Sequence, residues 1–282
     1  MVRRLLQHCA AVTILTATLC FTAQVTPAAA AEVELERMTW IEVRDRIASG
    51  STTVIVPTGG TEQNGAHMAL GKHNFIVAEA SRRIARVLGD ALVAPVIAYV
   101  PEGSIELRTG HMAYAGTISV PDAVYSGLLE AAASSFKAHG FKLIVLLGDS
   151  GGNQAPQRDV ATKLSTKWAA DGVRVINAEG YYAANGGDEW LKAQGETAKA
   201  IGTHAGIRDT SELMAVTPEA VDLTRSRPDA DGASGDARRA TRERGEKLVA
   251  MKVDAAVNEI RAVRQGRAAT APAPGLFGRL FQ

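Results

Sequence analysis

The chain has 282 residues, with 31 lysines and arginines against 30 aspartates and glutamates, and a formal net charge of +1. That balance excludes attraction to nucleic acid or to an anionic membrane by bulk charge. With only two cysteines, a disulfide-dense scaffold and a four-thiolate metal site are excluded too.

Arg3 and Arg4 open the chain, an apolar run from Cys9 to Ala23 follows, and Pro27 and a row of alanines precede Glu32. This is the pattern of a secretory signal peptide over residues 1–31, and its apolar run is too short to favour a transmembrane helix. Both Cys9 and Cys20 fall in it. The mature chain is therefore expected to have no disulfide, no cysteine nucleophile and no thiolate ligand. Export to the periplasm or beyond follows, with no membrane attachment after cleavage. Cleavage leaves 29 basic against 30 acidic residues.

Thr39 and Glu42 form a capping-box pattern ahead of a helix that runs to about Ala48. "TTVIVP", residues 52–57, is a short β-branched run and reads as a buried strand. Residues 58–73 are glycine-rich and polar, a loop, and 74–88 show helical spacing. "ALVAPVIAYVP" is a strand broken at Pro95. The next helix, ended by Gly140, carries Val124, Leu128, Ala132 and Phe136 as its expected buried stripe. "FKLIVLL" is a strand, and a helix with Val160, Leu164 and Trp168 on one side follows. Asn153 is placed to cap that helix. "VRVIN" is another strand, and a loop-rich stretch leads to a long amphipathic helix marked by Leu248, Val249, Lys252, Val253, Val257 and Ile260. Residues 266–282 read as a disordered Ala/Pro/Gly-rich tail.

Strands alternating with helices over residues 32–265 predict one α/β domain, a mainly parallel sheet covered on both faces in three layers. Ligands of such sheets bind beyond the carboxyl ends of the strands. The loops to inspect are 58–73, 101–119, 148–153 and 177–211, which hold His67, His73, His111 and His204. His139 sits at a helix end.

Three segments carry possible chemistry. "GDSGG", residues 148–152, follows a strand and precedes a helix, the context of a serine nucleophile at Ser150. The alternative is that its small residues let the turn pass close to the sheet. "PTGGTEQNGAHMALGKHN" offers Glu62, Asn64, His67 and His73, donors suited to Zn²⁺ or Mn²⁺. "GTHAGIRDTSELM" adds His204 and Asp209.

In this order the three segments resemble the creatininase (creatinine amidohydrolase) family. "EQNGAHMALGKH" is similar to its Glu-Gln-His-Gly-Pro-His motif, "GDSGGN" to its Asn-Gly-His-Gly-Gly-Asn, and "HAGIRDTS" to its His-Ala-Gly motif. "GTISV" and "GDARRAT" are also similar to family segments, and the likeness spans residues 36–262. The resemblance implies an α/β sandwich, a metal site that activates water, hydrolysis of a small and often cyclic amide, and a homo-oligomer, commonly a hexamer. It places Glu62 and His73 on metal positions and Asp209 near the metal, and a single site from these three, with Asp149 or His67 in reserve, is chemically sound. Asn64 and Ser150 fall where the family has ligand histidines, and His204 falls beside the substrate.

These exchanges favour one Zn²⁺ or Mn²⁺ ion per subunit over a pair, because asparagine and serine are poor donors for either metal. In the resulting reading His204 gives a proton to the leaving group, and His67 or His111 orients a small-molecule substrate. A serine hydrolase using Ser150, a non-catalytic binding descendant and a structural subunit are the alternatives.

Overall fold

The computed structural model describes residues 31–267. The expected signal peptide, apart from Ala31, and the tail beyond Arg267 lie outside these residues.

The elements run α1 (Trp40–Ala48), β1 (Thr53–Thr58), α2 (Lys72–Leu88), β2 (Ala91–Val93), α3 (Asp122–Ala138), β3 (Leu143–Gly148), α4 (Gln154–Lys167) and β4 (Arg174–Asn177). Four shorter helices follow: α5 (Glu179–Tyr182), α6 (Gly187–Ala193), α7 (Ala198–Ile201) and α8 (Ile207–Val216). α9 (Arg242–Arg264) is the last. Thr39 and Glu42 make the reciprocal capping box that starts α1. Among the described residues no helix is long and apolar enough to cross a membrane.

All four strands are parallel, in the order β2-β1-β3-β4. Successive side chains of a strand point to opposite faces, so each strand feeds two cores. Ile55, Val145 and Leu147 pack against Val77, Ile84, Val249, Val253 and Ile260 of α2 and α9. Val54, Val56, Ile144 and Leu146 pack against Tyr125, Leu129, Val160, Leu164 and Trp168 of α3 and α4. The result is the expected three-layer α/β sandwich.

The α3 stripe lies one residue from the expected one. Tyr125, Leu129 and Ala133 are buried, while Val124 and Leu128 are 57% and 45% exposed. Both registers repeat every four residues, and the phenol of Tyr125 decides between them by accepting the amide of Gln157 at 2.7 Å. Asn153 does not cap α4 either: its amide donates to the carbonyls of Thr58 and Gly59 and so ties the two strand-end turns together.

Thr58 pairs with Gly148 at the ends of β1 and β3, so loops 59–71 and 149–153 leave the sheet side by side. Part of the stretch read as loop-rich is helical. α8 packs on α9 where Gly245 meets Ser211; a Cβ at Gly245 would lie 1.7 Å from the Ser211 carbonyl oxygen. That close crossing brings Glu212 of α8 within 2.9 Å of Lys252 of α9.

Candidate active site

The carboxyl ends of the strands open into a cavity of about 650 Å³. Its lining comes from all four post-strand loops, including Glu62, His73, Glu102, His111, Asp149 and His204. Gly152 explains the glycines of the GDSGG turn: a Cβ there would fall 2.1 Å from the Pro101 carbonyl oxygen, so the turn packs directly on the neighbouring loop.

The cavity floor is a network of buried charges. α2 begins at Lys72, two residues earlier than the spacing predicts, so Lys72 and His73 lie in its first turn. His73 Nε2 lies 2.8 Å from Glu62 Oε1 and Nδ1 lies 2.7 Å from Asp149 Oδ2. Carboxylate oxygens accept, so both ring nitrogens donate and His73 is an imidazolium. Burial and Lys72 oppose that charge, but Glu62 and Asp149 prevail and raise its pKa to about 9. Lys72 Nζ lies 2.8 Å from Asp209 Oδ2 and 3.4 Å from Glu62 Oε1. Lys252 Nζ lies 2.6 Å from Asp149 Oδ1 and 2.9 Å from Glu212 Oε2, and Tyr181 also donates to Asp149 at 2.7 Å. Burial works against the ionised forms of Glu62 and Asp209, yet Lys72 outweighs it and holds both well below the usual carboxylate range. Against the same burial, Lys252 brings Asp149 down to about 2.

Glu102 is the exception. Its carboxyl lies beside the side chains of Glu62 and Ser150, and burial together with the Glu62 charge pushes it up to about 8. It therefore carries a proton at neutral pH.

His111 and His204 form the cavity's other wall, with ring centroids 4.4 Å apart. Gln63 orients both. Its main-chain carbonyl accepts from His204 Nε2 at 2.9 Å, which leaves the Nδ1 lone pair of His204 facing Glu62 Oε1 at 3.7 Å. Burial and Lys72 hold His204 neutral, with a pKa down at about 4. The Gln63 side chain accepts from the Gly65 amide and donates to the Gly232 carbonyl, so its NH₂ faces His111 Nδ1 at 3.0 Å. His111 then carries its proton on Nε2, 3.1 Å from Glu62 Oε2.

The residues expected from the sequence divide accordingly. Glu62, His73 and Asp149 do come together, but His73 has no lone pair left for a metal. Asp149 is taken by Lys252, Tyr181 and His73, and Asp209 by Lys72 and the Ala205 amide. The expected ligand set of Glu62, His73, Asp209 and Asp149 therefore reduces to Glu62. His67 does not line the cavity; it is buried against the Thr210 hydroxyl at 3.0 Å. Asn64 staples its own loop through the Glu62 and Ala69 carbonyls. Ser150 has ordinary extended backbone (φ −100°, ψ 153°) rather than a strained nucleophile turn. Among the described residues no imidazole is hydrogen-bonded to it.

Glu62, His111 and His204 instead present one ligand atom each, all within 4.8 Å of one another. A carboxylate and two imidazoles with an open side suit one catalytic ion. His204 offers a free lone pair. His111 would have to move its Nε2 proton and turn the Gln63 amide, so binding there releases or relocates a proton. Among the described residues these three form a candidate site for an ion.

The sequence pattern of creatininase, described as creatinine amidohydrolase, matches residues 36–260. Creatinine amidohydrolase of Pseudomonas putida is 25% identical over 249 residues, which cover 79% of this chain and 94% of that protein. Mycofactocin precursor peptide peptidase of Mycolicibacterium smegmatis is 28% identical over 173 residues, 60% of this chain and 59% of that one. A glutamate-to-glutamine mutant creatininase of Zn-Zn type superposes with a TM-score of 0.68 at 23% identity, covering 83% of this chain and 98% of the other.

Proposed function

The chain belongs to the creatininase family, and on that premise we propose that it is a hydrolase that cuts a C–N bond of a small, compact or cyclic amide inside the cavity. The observation that carries this reading is the meeting of Glu62, His111 and His204 within 4.8 Å at the wall of a cavity of about 650 Å³. These three would hold one divalent ion, zinc or manganese. Such an ion supplies Lewis acidity, polarising the amide carbonyl and easing ionisation of a water.

The chain's own groups do the rest. Glu102, protonated beside Glu62 and Ser150, gives its proton to the departing nitrogen as the water's oxygen bonds to the acyl carbon and the C–N bond breaks, and the proton lost by the water returns to the Glu102 carboxylate. His204 is not the acid: its Nε2 proton is held by Gln63 and its Nδ1 is bare. Tyr182 and Arg208 line the cavity, with Arg208 held in place by Glu212, Asp188 and Asn185. The test is a screen of small amides, lactams and lactones with the wild type, the Glu62→Gln variant and chelator-treated protein. Turnover that survives both chelation and Glu62→Gln ends this reading.

A second reading, a small-molecule binder without turnover, is favoured by the full pairing of Asp149, Asp209 and Glu212 with lysines. Saturable ligand binding with no product in the same screen would select it. Export is part of the proposal, supported by the basic and apolar N-terminal pattern. N-terminal sequencing of the mature protein should start near Glu32. Association of copies is supported by exposed Tyr99, Leu107, Val124 and Leu128. Light scattering of purified protein should give a mass several times that of one chain.

A further inference from the structure

We propose that the buried ammonium of Lys72 occupies the role of a second divalent cation, so that the chain binds no more than one metal ion. This rests on the hydrolase reading only for the first ion. Lys72 side-chain atoms are 1% exposed, and Nζ lies between two carboxylates, 2.8 Å from Asp209 and 3.4 Å from Glu62. Two carboxylates from separate loops facing one buried cation form the arrangement that a bridging metal would otherwise hold together. The ammonium is fixed there by covalent attachment to the first turn of α2. An ion arriving between Glu62 and Asp209 would meet a like charge held 2.8 Å from Asp209 and itself only 1% exposed, so poorly screened. It would also find the other floor carboxylates taken, Asp149 by His73 and Lys252, and Glu212 by Lys252 and Arg208. Glu62 keeps one oxygen, Oε2, turned towards His111, which is the oxygen a single ion can share. A mutant creatininase of Zn-Zn type has this fold; in this chain a lysine supplies one of the charges.

The experiment measures zinc content after saturation and desalting, by plasma mass spectrometry, together with the thermal shift on adding zinc. Wild type and Lys72→Arg, which keeps the charge, are expected to hold at most one equivalent. Lys72→Met removes the charge at similar volume and is expected to gain one equivalent over wild type, with a zinc-dependent rise in melting temperature that Lys72→Arg lacks. Should Lys72→Met be unfolded as purified, recovery of its fold by zinc supports the proposal and failure to recover it counts against it. Two equivalents in wild type, or equal zinc contents in Lys72→Met and Lys72→Arg, overturn it. Zero equivalents in wild type with one in Lys72→Met sinks the single-ion site of Glu62, His111 and His204 but leaves the role of Lys72 standing.

Discussion

The main-chain carbonyl of Gln63 accepts the Nε2 proton of His204 at 2.9 Å, and this bond decides which nitrogen of His204 faces the cavity. An imidazole whose far nitrogen donates to a fixed carbonyl is held in one tautomer and one orientation, as metal-binding and catalytic histidines commonly are. His204→Ala should therefore cost more in metal affinity than the roughly 10–100-fold typical of losing an outer-shell partner, with far-ultraviolet circular dichroism unchanged. Isothermal titration with zinc checks this; unaltered affinity would remove His204 from the site.

Lys252 neutralises Asp149 and Glu212 at once, at 2.6 and 2.9 Å. Removing one partner of a buried ion pair typically costs roughly 3–5 kcal/mol, because the remaining charges are left without compensation. Lys252→Met should lose that much in urea unfolding. A loss under about 1 kcal/mol would mean that Asp149 and Glu212 take up protons or reach water instead.

Stability should fall as the solution becomes alkaline. The fold raises His73 from its ordinary 6.5 to about 9, so its contribution is complete below 6.5 and lost as pH climbs through 9. Glu102 is raised from 4.5 to about 8, so the fold favours its protonated form and that contribution vanishes through pH 8. For His73 the loss is on the order of 3 kcal/mol. Melting curves between pH 6 and 10 test this, and Glu102→Gln should flatten the decline on the acid side of about 8. A melting temperature constant over that range contradicts both assignments.

Ser150→Ala removes a hydroxyl that sits beside the Glu102 carboxyl and favours its ionised form, and nothing else that the mechanism uses. Turnover should stay within about tenfold of wild type, on the scale of one hydrogen bond of roughly 1 kcal/mol. Wild type should not react with a fluorophosphonate. Labelling at Ser150 would instead make its hydroxyl the nucleophile and leave the metal-assisted water without a role.

Much of this could be read along the chain. The β-branched runs mark the strands, the four post-strand loops do line the cavity, and Glu62 and His204 are in it. The missing parts are missing for physical reasons. Lys72 reads as a polar loop residue because helix spacing becomes visible only with apolar residues, and α2 starts on two charged ones. Lys252 falls on the buried stripe of α9, but nothing local announces that Asp149 and Glu212 meet it there. Glu102 and Gln63 carry no spacing signal: one depends on a neighbour 40 residues away, the other on a backbone carbonyl at Gly232. His67 misleads because an imidazole on a glycine-rich loop gives no hint of which way it turns.

The crossing of α8 and α9 at Gly245 has a consequence for biogenesis. The last long helix delivers Lys252, so a chain that has not yet emerged past residue 252 has Asp149 and Glu212 without their ammonium. The pocket is thus completed late in synthesis, and truncated products lack a working floor. Trimming the chain before Lys252 should therefore be far more damaging than trimming it just before Arg264.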